Sequence, residues 1–338
     1  MSDTFGSQVL RIGILGAARI APGAICMPAG VLGHPLVVIG ARDLSKAQAF
    51  KERWGVGSAV EGYEAVVNNP DVDLVYNGLP NSHHAMWNIA ALKAGKNVLS
   101  EKPFASNYEE AKRVADVASL SPGKIIEGFH YQYHPTIKRA IEIAKSGELG
   151  EILTVTSALN IAPPGDSDIR WSLDLAGGGL MDLGCYSLHI QRRLSLALFG
   201  EEPQLISAIS REARPGIDTF MEATISYKNG ATGTISSSME FTHFECPLRI
   251  IGSAGELFLP SFVQPGNDDS IVISIGGESR TEHSSRISSY TWQLQAFAEE
   301  IAGRGESLGG MADALANARF IDDIYRAAGM EPRPALLF

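Results

Sequence analysis

The sequence predicts a doubly wound parallel α/β sheet of Rossmann type, followed by an α+β domain with a large, mostly antiparallel, open-faced sheet. Three observations carry this. Short apolar runs alternate with longer helix-like segments through residue 131, a small-residue turn follows the first of those runs, and period-two alternation dominates from Glu151 onward.

In order, the strands expected in the first domain are Val9–Leu15, Leu36–Ala41, Leu74–Tyr76, Asn97–Leu99 and Lys124–Glu127. Helices are expected over Leu44–Trp54, Tyr63–Val67, His84–Ala94 and Tyr108–Ala118. Ser45 and Asn107 are residue types that accept from the orphan N–H groups of a first helical turn, and Gly95 suits the left-handed conformation that ends a helix. Beyond residue 131, Pro135 opens a helix running through Ala144, because its missing N–H is no loss in a first turn, and Gly147 stops it. Alternating runs follow at Ile152–Ile161, Glu222–Tyr227, Ala231–Met239, Leu248–Ile251 and Ile271–Ile275. Asn229-Gly230 between two of them is a hairpin signal, since both residue types accept positive φ. A helix over Gly179–Leu198 interrupts the strands, and helices over Tyr290–Ala302 and Met311–Ala327 close the chain. With neither repeats nor a low-complexity linker, the expected division is residues 1–131 and 132–338.

Composition narrows the function. A chain of 338 residues with 45% hydrophobic side chains builds two cores without metal or disulfide staples. The net charge of −10 argues against nucleic acid, whose phosphates call for a basic surface. No apolar run approaches the ~20 residues that span a bilayer, and Met1–Ser7 offer no cationic start of a secretory leader. Cys26, Cys185 and Cys246 fit no metal-ligand or redox spacing, so the expected location is the reducing cytoplasm. His130 and His134 sit four apart, but the helix starts only at Pro135 and breaks the pattern, so no metal site is expected.

The first strand runs into Gly16-Ala-Ala18-Arg19-Ile20-Ala21, a G-x-A-x-x-A version of the dinucleotide-binding turn. Small residues there let backbone N–H groups approach a pyrophosphate at a helix N-terminus. Gly16, Ala18, Arg19 and Ile20 are the expected cofactor contacts. The second strand ends in Arg42-Asp43, where an acidic residue would favour the free 2′-hydroxyl of NAD and an arginine the 2′-phosphate of NADP. Arg42 takes the strand-end position and Asp43 suits a helix cap, so NADP is favoured and NAD stays open.

Tyr76-Asn-Gly-Leu-Pro-Asn-Ser-His-His84, Ala94-Gly-Lys-Asn-Val-Leu-Ser-Glu-Lys-Pro103, Glu127-Gly-Phe-His-Tyr-Gln-Tyr-His-Pro135, Gly177-Gly-Gly-Leu-Met-Asp-Leu-Gly-Cys-Tyr186 and Ala316-Asn-Ala-Arg-Phe-Ile-Asp-Asp-Ile-Tyr325 resemble the glucose–fructose oxidoreductase and inositol dehydrogenase family, Gfo/Idh/MocA. The likeness covers nearly the whole chain. It implies hydride transfer to or from sugars, polyols and related carbonyl compounds, and a homodimer or homotetramer built on the open sheet face. It also implies that Leu79, Asn81, His84, Glu101 and Lys102 line the cofactor, that Arg170 and Trp171 lie near the nicotinamide end, and that Lys102 is catalytic. The Lys102–Pro103 bond is of the type that can be cis.

Hydride transfer needs a partner for the hydroxyl proton. A phenol ionises near pH 10, too high for easy work at neutrality, and an ammonium nearby favours the phenolate. Many family members carry aspartate and, four residues on, histidine; here those positions are Asp182 and Tyr186, as in the tyrosine-using branch. Tyr186 is therefore the expected proton donor and acceptor, tuned by Lys102, with Asp182 orienting substrate or lysine. His189 completes the spacing of four and three residues on one helix face and reads as a core group. Family members often carry arginine where Gln132 stands. The expected activity is that of an aldose dehydrogenase or ketosugar reductase, the alternatives being a trans-1,2-dihydrodiol dehydrogenase and a non-catalytic cofactor-binding sensor.

Overall fold

The computed structural model describes residues 8–306 and 308–336, so the leader reading at Met1–Ser7 lies outside the described residues. By contacts the chain forms two units. One is the chain through Phe129 with Tyr290–Ala318 and the residues from Ala335; the other is His130–Ser289 with Arg319–Pro334.

The first unit holds six parallel strands, β1 (Ile12–Leu15), β2 (Leu36–Ala41), β3 (Ser58–Glu61), β4 (Leu74–Asn77), β5 (Asn97–Ser100) and β6 (Ile125–Glu127), in the order β3-β2-β1-β4-β5-β6. This is the doubly wound order, with β1 and β4 flanking the point where the winding reverses. β1 and β4 are buried along their whole length, as strands covered on both faces must be. The half-exposed edge strand β3 has no apolar run to announce it and was not expected.

A π-helical turn at Pro22–Cys26 leads into α1 (Met27–Leu32); α2 (Leu44–Trp54), α3 (Glu64–Val67), α4 (His84–Lys93) and α5 (Tyr108–Ala118) follow. Asn107 caps α5 by accepting from the Glu110 N–H at 3.0 Å. The α2 cap is Asp43 and not Ser45, which instead donates its N–H to the Asp43 carboxylate at 2.9 Å. Val75, Val98, Phe104, Ala111 and Val114 form the core with Ala314 and Ala318. That packing is why 290–318 group with the Rossmann sheet, where a division at residue 131 assigns them to the second domain.

The second unit opens with α6 (Pro135–Ser146), which ends at Gly147 with φ 85°. Its eight strands are β7 (Ile152–Asn160), β8 (Gln204–Arg214), β9 (Ile217–Ser226), β10 (Thr232–Ser238), β11 (Leu248–Gly252), β12 (Gly255–Leu259), β13 (Ile271–Ile275) and β14 (Glu278–Glu282). They run β14-β13-β12-β11-β7-β10-β9-β8, antiparallel except where β7 pairs with β10. Asn229 and Gly230 turn β9 into β10, with Gly230 at φ 83°. A π-helical turn at Leu180–Gly184 continues into α7 (Cys185–Phe199), which packs on β7 and β10. Gln191 of α7 stitches that parallel pair, donating to the carbonyls of Val155 at 3.1 Å and Thr234 at 2.8 Å. The other sheet face is open: Ile206 and Ile209 of β8 are 61% and 59% exposed. α8 (Ser289–Ile301) and α9 (Met311–Ala327) complete the chain.

Candidate active site

In the first unit the expected residues gather where doubly wound sheets bind ligands, at the carboxyl ends of the strands. β1 ends at Leu15, and Gly16 adopts φ 88° while its N–H bonds the Gly40 carbonyl at 2.8 Å. A Cβ at Gly16 would meet the Leu79 side chain at 2.9 Å, so the turn takes neither a side chain nor its backbone penalty. Ala18 is half-buried and Arg19 and Ile20 are exposed before the π-helical turn begins.

At the end of β2 the two candidate ribose contacts separate. The Asp43 carboxylate accepts from both the N–H and the hydroxyl of Ser45, at 2.9 and 2.6 Å, and these bonds hold it below the usual carboxylate range. Arg42 is exposed and hydrogen-bonds the Tyr63 phenol. Burial, and then the Arg42 charge, push His83 down. With Asp43 spent on a cap and a guanidinium facing solvent, this strand end fits the 2′-phosphate of NADP.

A buried polar web fixes the next two strand ends. Asn77 donates to Asn88 at 2.8 Å, and Asn88 donates to the Ser100 hydroxyl at 2.9 Å. His84 is 1% exposed and lies 2.7 Å from the carbonyl oxygens of both Leu79 and Pro103, one at each ring nitrogen. A neutral ring has a single N–H, so it donates to one of these carbonyls while standing between the Leu79 loop and the Pro103 turn. Burial pushes its imidazole down to about 4. Asn81 is half-buried in the turn before α4.

Lys102 stands on the turn leaving β5, preceding a cis bond to Pro103. Glu101 accepts from the Tyr76 hydroxyl at 2.9 Å, and Glu127 at the end of β6 accepts from the Phe104 N–H at 2.8 Å. Burial and the neighbouring Glu101 hold the Tyr76 phenol well above its ordinary range, so it remains a donor. The lysine is half-buried between residues whose own partners are fixed.

The second unit carries Tyr186. The Gly177–Gly179 loop before it is held from below: Asp218, 0% exposed, accepts from the Leu180 N–H at 2.6 Å and from the Tyr325 hydroxyl at 3.0 Å. Arg333 pairs with Asp218, donates to the Gly177 carbonyl at 2.6 Å and stacks 4.1 Å over Tyr325. Burial pushes the Asp218 carboxyl up to about 6, against the pull of Arg333.

Tyr186, 5% exposed, lies between the rings of His130 and Tyr131, with centroids at 5.7 and 6.0 Å. His189 is fully buried with Nδ1 2.6 Å from the Tyr131 hydroxyl, as a core histidine should be. Asp182 accepts from Arg170 Nε at 2.5 Å, and Arg170 also donates to Asp168 at 3.0 Å. Trp171 donates its indole N–H to the Gly165 carbonyl at 3.1 Å, and Arg214 covers its ring at 5.0 Å. Sequence reading missed Tyr131, Asp218 and Arg333 as supports. His130–Pro135 was visible as a motif, whereas Asp218 and Arg333 carry no local signal. Among the described residues no group of three or more His, Cys, Asp or Glu side chains is placed to hold a metal ion.

Comparison with known proteins finds relatives over both units. Residues 10–129 match an oxidoreductase family model with an NAD-binding Rossmann fold, and residues 137–258 match the GFO/IDH/MocA C-terminal domain. The chain is 32% identical over 323 residues to D-xylose 1-dehydrogenase (NADP(+)) 2 of Haloferax volcanii, covering 94% of this chain and 97% of that protein. It is 29% identical over 208 residues to the trans-1,2-dihydrobenzene-1,2-diol dehydrogenase of Bos taurus, covering 61% of this chain and 60% of that one. The crystal structure of a 3-ketoreductase from Actinomadura kijaniata with NADP and TDP-benzene superposes with a TM-score of 0.86 at 27% identity, over 95% of this chain and 98% of that one. Other structures of that ketoreductase carry a tyrosine-to-phenylalanine or a lysine-to-glutamate substitution.

Proposed function

The chain belongs to the Gfo/Idh/MocA family of oxidoreductases, and from that premise we propose that it interconverts a secondary or hemiacetal hydroxyl and the corresponding carbonyl of a pyranose-like sugar, with NADP as cofactor. The observation that carries this reading is the position of Lys102, half-buried on the turn that leaves β5 at the carboxyl edge of a dinucleotide-binding sheet. Bound NADP supplies the hydride acceptor in oxidation and the hydride donor in reduction.

The protein's own residues handle the proton. In oxidation Tyr186 as phenolate takes the proton of the substrate hydroxyl, and in reduction its hydroxyl returns one to the forming alkoxide. The Lys102 ammonium favours the phenolate, drawing the phenol toward neutral working pH. Asp182 acts through Arg170, holding the segment before the tyrosine helix, and touches no reacting atom. Gly16, Ala18, Arg19, Ile20, Leu79, Asn81 and Glu101 line the cofactor, Arg42 takes its 2′-phosphate, and Arg170 and Trp171 shape the nicotinamide end. The lysine and tyrosine substitutions in the Actinomadura kijaniata ketoreductase support giving these two residue types the chemistry.

A dihydrodiol substrate is the second reading, supported by the bovine relative. A sensor without turnover would have no use for Lys102 and Tyr186 together. We further propose a homodimer or homotetramer through the open sheet face, supported by the exposed Ile206, Ile209 and Leu153, and a cytoplasmic location, supported by three free buried cysteines. Among the described residues no helix is long and apolar enough to cross a membrane.

The test is turnover of aldopyranoses, TDP-linked ketosugars and trans-dihydrodiols with NADP(H) and NAD(H), followed at 340 nm. Oxidation of free aldoses with NADP supports the sugar dehydrogenase. Activity confined to dihydrodiols moves the assignment to the second reading, and binding of cofactor without turnover of any class leaves a sensor.

A further inference from the structure

Tyr76 stands one residue before the end of β4, 1% exposed, and its hydroxyl donates to Glu101 Oε1 at 2.9 Å. Glycine clears the place for this phenol: a Cβ at Gly78 would lie 2.8 Å from a Tyr76 ring carbon and 3.3 Å from its oxygen. Glu101 is itself 8% exposed and fixed through its backbone. Its N–H bonds the Asn77 carbonyl at 2.9 Å, and its carbonyl accepts from the Ser100 hydroxyl at 3.1 Å. Its Oε2 lies 3.4 Å from the Lys102 N–H. A Cβ at Gly128 would stand 3.4 Å from the Glu101 Cα and 3.0 Å from the Ser100 carbonyl oxygen, so the chain leaving β6 also stays bare where Glu101 packs. Phenylalanine would fill the space of Tyr76 equally well, and a buried hydroxyl costs stability unless it is bonded. The oxygen of Tyr76 therefore serves the carboxylate.

The surroundings set that carboxylate beside a lysine. Burial keeps three neighbours neutral: Tyr76 well above its ordinary range, Cys26 before α1 pushed up to about 12, and His84 of α4 pushed down to about 4. Tyr290 of α8 adds a second phenol, and Glu127 at the end of β6 accepts from the Phe104 N–H at 2.8 Å. Lys102, the next residue along the turn, brings the cation. We propose that Tyr76 is a positioning residue: its hydroxyl holds the Glu101 carboxylate in place and ionised, and that carboxylate keeps the Lys102 ammonium charged for its part in the chemistry. A hydrogen bond donated to an anion favours the anion, and an anion nearby favours an ammonium. Tyr76 acts only through Glu101 and touches no reacting atom. This inference rests on the role given to Lys102 in the sugar-oxidoreductase reading.

Two measurements on the wild type, Tyr76→Phe, Glu101→Gln and the double variant test it. The first is thermal melting at pH 5 and pH 8. Without its donor the buried carboxyl takes up a proton more readily, so Tyr76→Phe should lower Tm more at pH 8 than at pH 5. In the Glu101→Gln background the same change should cost equally at both values, because no titrating partner is left. The second is the pH profile of kcat/KM for reduction of D-glucono-1,5-lactone with NADPH in excess, from pH 5 to 8. Its acid limb should move up by about one unit in Tyr76→Phe, while NADPH affinity stays within about 2-fold of the wild type. A Tyr76→Phe cost that ignores pH in both backgrounds, or an acid limb that does not move, overturns the inference and leaves the sugar reading intact. A wild type that turns over neither lactone nor pyranose overturns the sugar reading, and a pH-dependent cost of Tyr76→Phe in the melts then still upholds its hold on Glu101.

Discussion

Arg170 holds Asp182 through Nε at 2.5 Å while its Nη1 reaches Asp168 at 3.0 Å, so one guanidinium ties the turn before the glycine loop to the turn after it. The pair is partly buried, with side chains 26% and 19% exposed, where loss of one charge leaves the other poorly solvated. Asp182→Asn should therefore lower stability by about 1–3 kcal/mol and reduce turnover about 10-fold, with cofactor affinity retained. Thermal melts and steady-state kinetics on the purified variant check this. Abolished turnover at an unchanged Tm would make Asp182 a reacting group.

Arg42 faces solvent while Asp43 is committed to capping α2. A charge-assisted contact to a 2′-phosphate has no counterpart in NADH, so Arg42→Ala should weaken NADPH binding by about 10- to 100-fold and NADH binding by less than about 3-fold. Tryptophan-fluorescence titration with each cofactor measures both. Equal losses would remove the arginine from cofactor choice.

How much of this could be read beforehand depended on how local the cause was. Leu36–Ala41, Leu44–Trp54, Tyr108–Ala118, Ile271–Ile275 and Met311–Ala327 stand in the structure with the boundaries the sequence suggests, because apolar period and caps lie within each segment. β3, β8 and β14 were missed because edge strands face solvent on much of their surface and lack the apolar run that marks a strand, and the interior β12 was missed because its Gly255-Glu256 start leaves only Leu257–Leu259 as an apolar run. The π-helical turn at Leu180–Gly184 was read as ordinary helix, since a pattern of period 3.6 carries no mark of one inserted residue. At the candidate site, the glycine turn and the Asp43 cap were legible. The partners of Asp182, Tyr186 and the Gly177 loop were not, being set by contacts such as Arg333 with Asp218, 115 residues apart in sequence.

That distant pair supplies a third prediction. Arg333 and Asp218 are 1% and 0% exposed, so Arg333→Met buries an unpaired carboxyl beneath the glycine loop and should cost about 3–5 kcal/mol. The Asp218 carboxyl already titrates near 6 and rises further without the guanidinium. A folded-state pKa above the unfolded one means that the native state binds the extra proton, and stability falls as pH rises through that window. The variant should accordingly lose less at pH 5 than at pH 8, in melts at the two values. An equal loss at the two values would show that the carboxyl is held ionised by other groups.

His134 gives the opposite sign. It caps α6 by accepting from the Thr136 N–H at 3.2 Å through Nδ1, and its Nε2 donates to the Ile287 carbonyl at 3.1 Å, an arrangement only the neutral ring satisfies. Burial pushes it down to about 4 from the usual 6.5. The unfolded chain therefore binds the proton first, and this contribution is present above pH 6.5 and lost as pH falls toward 4. It should amount to about 2 kcal/mol over that interval. His134→Asn keeps a capping oxygen without a titrating group, so its stability should fall less on acidification than that of the wild type. Denaturant unfolding from pH 4.5 to 7.5 reads the difference, and parallel curves would clear His134 of the effect.

Tyr186→Phe removes one oxygen from a ring packed by His130 and Tyr131, and leaves that packing in place. The fold and the glycine turn, which lies in the other unit, should be untouched, so NADPH affinity should stay within about 2-fold of the wild type. General acid–base catalysis contributes about 100- to 10,000-fold, and turnover should fall by that order. The residual rate should also lose the rise toward alkaline pH that a phenol gives to the oxidative direction, a signature that a packing defect would not produce. A pH–rate profile for sugar oxidation on both proteins therefore separates the two causes. A lower rate with the alkaline limb retained would move the proton to another group, and an unchanged rate would take Tyr186 out of the chemistry.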